Sequence, residues 1–177
     1  MYQIDSIIAS PYYLLELATA VQTQITLQHI ISGGAPIFAS DAEKILNTFH
    51  KATLKVAYGS TEAEPISYCK ADEIVKHKDA FGLFSGKPVE SILLKIITPK
   101  HLPQTTEKEL NRLELPVNKI GEIIVSGDAV NESYLDNPQA IAENKIITEQ
   151  RNLASNGRIS GYLNEKGQLF LTGRSLR

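Results

Sequence analysis

Two apolar segments of this chain, residues 27–31 and 54–57, each run straight into a turn built on glycine, and a single helical pattern lies between them. The first turn reads Ser32-Gly33-Gly34-Ala35-Pro36 and the second Tyr58-Gly59-Ser60-Thr61-Glu62. Strand, helix and strand in that order point to parallel strands joined by a right-handed crossover. Both turns then fall at the carboxyl ends of neighbouring strands, where open α/β sheets form their ligand crevices. The preceding segment fits the same scheme. Residues 4–10 read as a strand, Ser10 can cap a helix whose first turn suits Pro11, and Leu14, Leu17, Ala18 and Val21 recur at helical spacing. Ser40-Asp41-Ala42-Glu43 reads as a capping box opening the next helix, with Ala42, Ile45, Leu46 and Phe49 on one face.

Beyond Pro65 the pattern changes to short β-rich runs at residues 83–85, 92–97, 122–125 and 168–172, separated by Gly, Pro and Asn turns. The expected fold is therefore α/β. A partial parallel doubly wound sheet with flanking helices is assigned to residues 1–65, and a β-rich distorted-barrel subdomain to residues 66–177. Residues 100–119 are polar, carry Pro103 and Pro116, and read as a mobile insertion. Asn137-Pro138 reads as the start of one further short helix ending near Asn144.

A chain of 177 residues with a net charge of −2 has the composition of a soluble globular protein. Its charges of both signs are interspersed, with no basic run to serve as a nucleic-acid footprint. Cys69 is the only cysteine, which excludes an intrachain disulfide and a cysteine-based metal site and favours a reducing, cytoplasmic setting. The Met1-Tyr2-Gln3-Ile4-Asp5 start lacks the features of a signal peptide, and no apolar run reaches the roughly 20 residues of a bilayer span, so membrane contact is expected to be peripheral at most. His29, His50, His77 and His101 are scattered without metal-ligand spacing. Ser32, Ser60 and Ser67 do not sit in the Gly-x-Ser-x-Gly elbow of a hydrolase.

The second glycine turn is the richer one chemically. Within five positions it offers an aromatic ring that can lie on a purine, a Gly that admits a ligand close to backbone, hydroxyls for phosphate and a carboxylate for magnesium. Ser-Gly-Gly-Ala-Pro followed by Tyr-Gly-Ser-Thr-Glu resembles the acyl-adenylate-forming superfamily of acyl-CoA synthetases, luciferases and peptide-synthetase adenylation domains. Gly86-Lys87-Pro88-Val89 resembles its Gly-Lys/Arg-Pro turn, and Gly121-Glu122-Ile123-Ile124-Val125-Ser126-Gly127 through Tyr134-Leu135-Asp136-Asn137-Pro138 resembles a later block. The stretch from Gly161-Tyr162 to Gly173-Arg174 resembles the hairpin before its interdomain hinge. The match follows the family's order over nearly the whole chain, but covers only the central part of such an enzyme. The family's phosphate loop would precede it, and the small domain with its catalytic lysine would follow.

The resemblance implies that Gly33, Gly34, Ala35 and Pro36 flank one face of adenine while Tyr58 stacks on the other, with Gly59 and Ser60 completing the turn. A half-buried core role for Tyr58 stays open. Thr61 would reach the α-phosphate, Glu62 would hold the magnesium, and Arg174 would contact ribose or phosphate. Glu64 reads as structural, and Asp128 and Asp136 as solvated turn residues. The family's ribose-binding Asp falls within Ser155-Asn156-Gly157-Arg158-Ile159-Ser160-Gly161-Tyr162, which contains none. Registering on Gly161-Tyr162 puts Ile159 there, and registering on Gly157 puts Arg158. Either loses acceptors worth about 1–3 kcal/mol each. The implied parent activity is an ATP-dependent carboxylic acid:CoA ligase of the fatty acyl-CoA synthetase type, using ATP, Mg2+ and CoA, with this segment inactive alone. A peptide-synthetase or aryl-acid adenylation domain, or a degenerate nucleotide-binding relative, is the alternative.

Overall fold

The computed structural model describes residues 4–21, 25–150 and 152–174, with the side chains of residues 152–158 left out of the description. Strands β1 (Ser6–Ala9), β2 (His29–Ser32) and β3 (Thr53–Ser60) pair in parallel, with helix α1 (Pro11–Ala20) in the first crossover and α2 (Ala39–Thr48) in the second. Ser10 caps α1 as expected: its Oγ accepts the Tyr13 N–H at 3.4 Å, with Pro11 in the first turn. The start of α2 differs from the expectation. Its cap lies two residues before the expected Ser40, with Phe38 in the extended N-cap conformation and the Asp41 carboxylate accepting the Phe38 N–H at 3.4 Å. Asp41 thus serves the carboxylate half of a box whose cap position carries no side-chain acceptor.

Both helices lie on the same face of the parallel strands. Leu14 of α1, Ala42 and Ile45 of α2 and Phe49 at the C-cap of α2 join Ile30, Leu54 and Val56 in one buried cluster. Burial of each large apolar side chain contributes about 1.5–3 kcal/mol. On the opposite face Ile8 and Ile31 are exposed.

Strand β3 is longer than the apolar run that announced it, continuing through Tyr58 to Ser60 and turning at Thr61-Glu62 into antiparallel β4 (Ala63–Lys70). Pro65 falls where the β3–β4 register shifts, between the Ser60–Ala63 and Tyr58–Ser67 pairs, a place that tolerates a residue without an N–H. Next come α3 (Ala71–Lys76), β5 (Leu83–Pro88), β6 (Ile92–Ile97), α4 (Glu107–Leu113), β7 (Gly121–Gly127), α5 (Pro138–Asn144), β8 (Lys145–Ile147), β9 (Asn152–Leu163) and β10 (Leu169–Arg174). Hydrogen bonding links the ten strands in the order β1-β2-β3-β4-β5-β10-β9-β7-β6, with β8 on β9. The architecture is α/β, a short parallel portion followed by antiparallel ladders. No described helix is long and apolar enough to cross a membrane.

The polar stretch expected to be a mobile insertion contains α4. Thr106 Oγ1 accepts the Glu109 N–H at 3.2 Å and Glu109 accepts the Thr106 N–H at 3.3 Å, a complete capping box. Leu110 anchors the helix by packing, fully buried, with Ile97, Ile124 and Ile146. The Gly-Lys-Pro motif expected as a turn lies within strand β5 and needs its glycine. Gly86 has φ +83°, and a Cβ there would stand 1.8 Å from the Tyr68 carbonyl oxygen.

Candidate functional site

The carboxyl ends of β2 and β3 open onto a cleft of about 770 Å³, within the range of small-molecule sites. Gly34, Ala35 and Pro36 follow β2 along one side, while Tyr58 and Gly59 come from β3 and Arg174 from the end of β10. The first turn crowds β3: a Cβ on Gly33 would lie 3.1 Å from the Ala57 carbonyl oxygen. Gly34, at φ +79°, lets the chain reverse there. Tyr58 lines the cleft on one side and packs on the buried cluster of Ile66, Ile123 and Leu169 on the other, half-buried.

Of the expected site residues, Gly34, Ala35, Pro36, Tyr58, Gly59 and Arg174 converge on the cleft. Gly33 backs it, and Ser60, Thr61 and Glu62 continue past it into the β3–β4 turn. Ser60 Oγ accepts the Glu62 N–H at 3.2 Å, holding that turn together. Ile159 lines the cleft and pairs across the β9–β10 ladder with Arg174. The Arg158 side chain lies outside the described residues.

The remaining wall comes from segments to which no site role was given. His77 stacks on Phe84 with ring centroids 4.2 Å apart, and its Nδ1 lies 2.8 Å from the Glu73 carbonyl oxygen, an arrangement in which Nδ1 donates. Tyr162 stacks on Phe170 at 5.0 Å and donates its hydroxyl to the Phe81 carbonyl at 2.8 Å, fixing the loop before β5. Cys69 also faces the cleft. Burial first, then the carboxylates of Glu73 and Asp72, push its thiol up to about 12, so it is a neutral, unreactive wall group.

Around Glu62 the structure assembles a network absent from the sequence reading. The Tyr134 hydroxyl donates to Glu62 Oε1 at 2.7 Å, and the Asn131 N–H donates to the Glu62 carbonyl at 2.9 Å. Lys145, almost fully buried, donates to both the carbonyl and the side-chain oxygen of Asn131, with its ammonium 5.5 Å from the Tyr134 ring centroid. Burial by itself would raise the Glu62 carboxyl. Hydrogen bonds from Tyr134, Ser60 and its own backbone, with the Lys145 charge, outweigh burial and hold it below the ordinary carboxylate value. Burial lowers Lys145, and the Glu62 charge offsets part of that. Glu62 is accordingly an anion at neutral pH. Among the described residues no three His, Cys, Asp or Glu side chains gather as a metal site. The single carboxylate fits the way magnesium is usually held, by one or two carboxylates together with substrate phosphates.

The family described as AMP-binding enzyme matches residues 2–135, which include both glycine turns and the Glu62–Tyr134 pair. The chain belongs to the AMP-binding enzyme family. Over 97% of its length it is 32% identical to YdaB of Bacillus subtilis strain 168, and covers 31% of that protein. Over 84% of its length it is 29% identical to 4-coumarate–CoA ligase 2 of Nicotiana tabacum, covering 25% of that enzyme. The fold matches a long-chain-fatty-acid–CoA ligase from Archaeoglobus fulgidus with a TM-score of 0.74 at 21% identity, covering 97% of this chain and 34% of that one. The chain thus spans about a third or less of the length of these AMP-binding relatives. Tyr134 stood inside a recognised block, yet its pairing with Glu62 spans 72 positions and leaves no local signal.

Proposed function

We propose that this chain forms the nucleotide-binding centre of an ATP-dependent carboxylic acid:CoA ligase of the fatty acyl-CoA synthetase type. The supporting observation is the convergence of Gly34–Pro36, Tyr58–Gly59 and Arg174 on one cleft, with Thr61 and Glu62 on the turn that leads out of it. In this reading adenine lies between the Gly34-Ala35-Pro36 backbone and the Tyr58 ring, and Arg174 attends phosphate. The substrate carboxylate attacks the α-phosphorus of ATP, the bond to the β-phosphate oxygen breaks, and pyrophosphate leaves. CoA sulfur then attacks the acyl carbon and releases AMP, giving the thioester. Charge on the phosphoryl oxygens is met by donors such as the Thr61 hydroxyl. Glu62, kept ionised by Tyr134, would hold Mg2+, which neutralises those oxygens when bound.

Similarity to a 4-coumarate–CoA ligase over most of the chain supports a second reading of the substrate, an aryl acid in place of a fatty acid. Acid-dependent ATP–pyrophosphate exchange by the full native polypeptide separates them. Exchange driven by medium- or long-chain fatty acids supports the first reading, and exchange driven by aryl acids alone supports the second. Exchange with neither, under conditions where AMP binds, would overturn ligase activity.

A further inference from the structure

Ile159 and Arg174 face each other as cross-strand partners at the cleft mouth. Ile159, like Tyr58 and Leu171, is half-buried and packs its inner side on the cluster of Ile66, Ile123 and Leu169. Dinucleotide-binding sites read the sugar with an Asp or Glu, whose ionised carboxylate accepts hydrogen bonds from ribose hydroxyls. This chain has 20 Asp and Glu residues, and none lines the cleft. None of the positions left undescribed is Asp or Glu either. The basic groups on the cleft include Lys78 and Arg174, which only donate and are best satisfied by phosphate. The β10 residues beside Arg174 add only the neutral hydroxyl of Thr172 and the apolar Leu171.

An aromatic and glycine wall for a base, cations for phosphate and an isoleucine across the ladder from Arg174 make a site that grips both ends of a nucleotide and offers the sugar no carboxylate. We propose that the cleft binds adenine nucleotides without discriminating ribose from deoxyribose, and that Ile159 is the residue responsible. An apolar contact rejects an added or missing hydroxyl weakly, whereas a site built to bond that hydroxyl rejects its absence strongly. The proposal rests on the nucleotide reading of the cleft given above.

The test compares equilibrium binding of ATP, 2′-deoxy-ATP and 2′,3′-dideoxy-ATP to the full native polypeptide and to its Ile159→Asp variant. Affinities of the native protein for the three ligands are expected to agree within about threefold, less than the loss of one net hydrogen bond. In I159D, where Arg174 opposite would keep the new carboxylate ionised, ATP is expected to bind about tenfold or more tightly than the dideoxy form. The native comparison needs no variant to fold, and Ile159→Asn supplies a neutral acceptor if the charge disturbs packing. A native preference for ATP of tenfold or more would overturn sugar indifference and leave the nucleotide site standing. Equal affinities in native protein, I159D and I159N would remove Ile159 as the residue responsible. No binding of any of the three at millimolar concentration would overturn the nucleotide reading itself, and the proposal with it.

Discussion

Tyr58 meets the cleft on one side and the Ile66 cluster on the other, so substitutions there separate binding from packing. Tyr58→Phe keeps the ring and is expected to retain AMP affinity. Tyr58→Ala is expected to weaken AMP by about 1–3 kcal/mol, the usual worth of an aromatic–base stack, as measured by calorimetric titration. Tyr134 acts at one remove, through Glu62. A carboxyl whose pKa is depressed on folding contributes stability above its unfolded value and loses that contribution as pH falls through the folded value. Tyr134→Phe is therefore expected to destabilise the fold by about 1–2 kcal/mol at pH 7. The gap from the native protein should narrow as pH falls below the ordinary glutamate range and through the depressed folded value of Glu62. Urea unfolding at pH 7 and at a series of lower pH values checks this, and a gap that stays equal throughout would remove Glu62 as the partner that matters. At this scale the sequence disclosed the groups whose chemistry is local, since Gly34, Tyr58 and Arg174 each stand in a short motif. It did not disclose Tyr134 or Lys145, because their roles exist only once β3 and the segments around residues 131–145 are brought together.

Gly86 in strand β5 is the sharpest constraint among the elements. Gly86 combines a left-handed backbone with contact against the Tyr68 carbonyl, so Gly86→Ala is expected to cost about 1–3 kcal/mol or more, read as a lowered unfolding midpoint. Removal of the α4 cap by Thr106→Ala is expected to cost about 0.5–2 kcal/mol. Elements with self-contained signals were legible in advance: Ser10-Pro11 for α1, Asn137-Pro138 for α5, and the apolar runs of β2, β6 and β7. Strand β4 was not, because Glu64, Pro65, Ser67 and Lys70 break the period of a strand. Strand β9 was hidden for a similar reason, since Gly157, Ser160 and Gly161 interrupt its alternation. Helix α4 carried its Thr106–Glu109 box in plain view, and the prolines on either side obscured it.

For the whole molecule, what positions the cleft is the joining of β5 to β10, a pairing of residues near 84 with residues near 170. It places the Arg174 end of the chain against the ends of β2 and β3, and no local pattern announces it. The α/β order and the two converging glycine turns were readable beforehand, whereas the strand order of the antiparallel part was not. Because the chain spans about a third of its relatives, and adenylation needs donors to phosphoryl oxygens from several directions, the 177 residues alone are expected to bind AMP without acid-dependent pyrophosphate exchange. The most direct measurement is amide hydrogen exchange of the full native polypeptide with and without AMP. Slowed exchange in three separate segments, residues 33–36, 58–60 and 171–174, is the result this account predicts. Slowing confined to other segments, or none at saturating AMP, would contradict it.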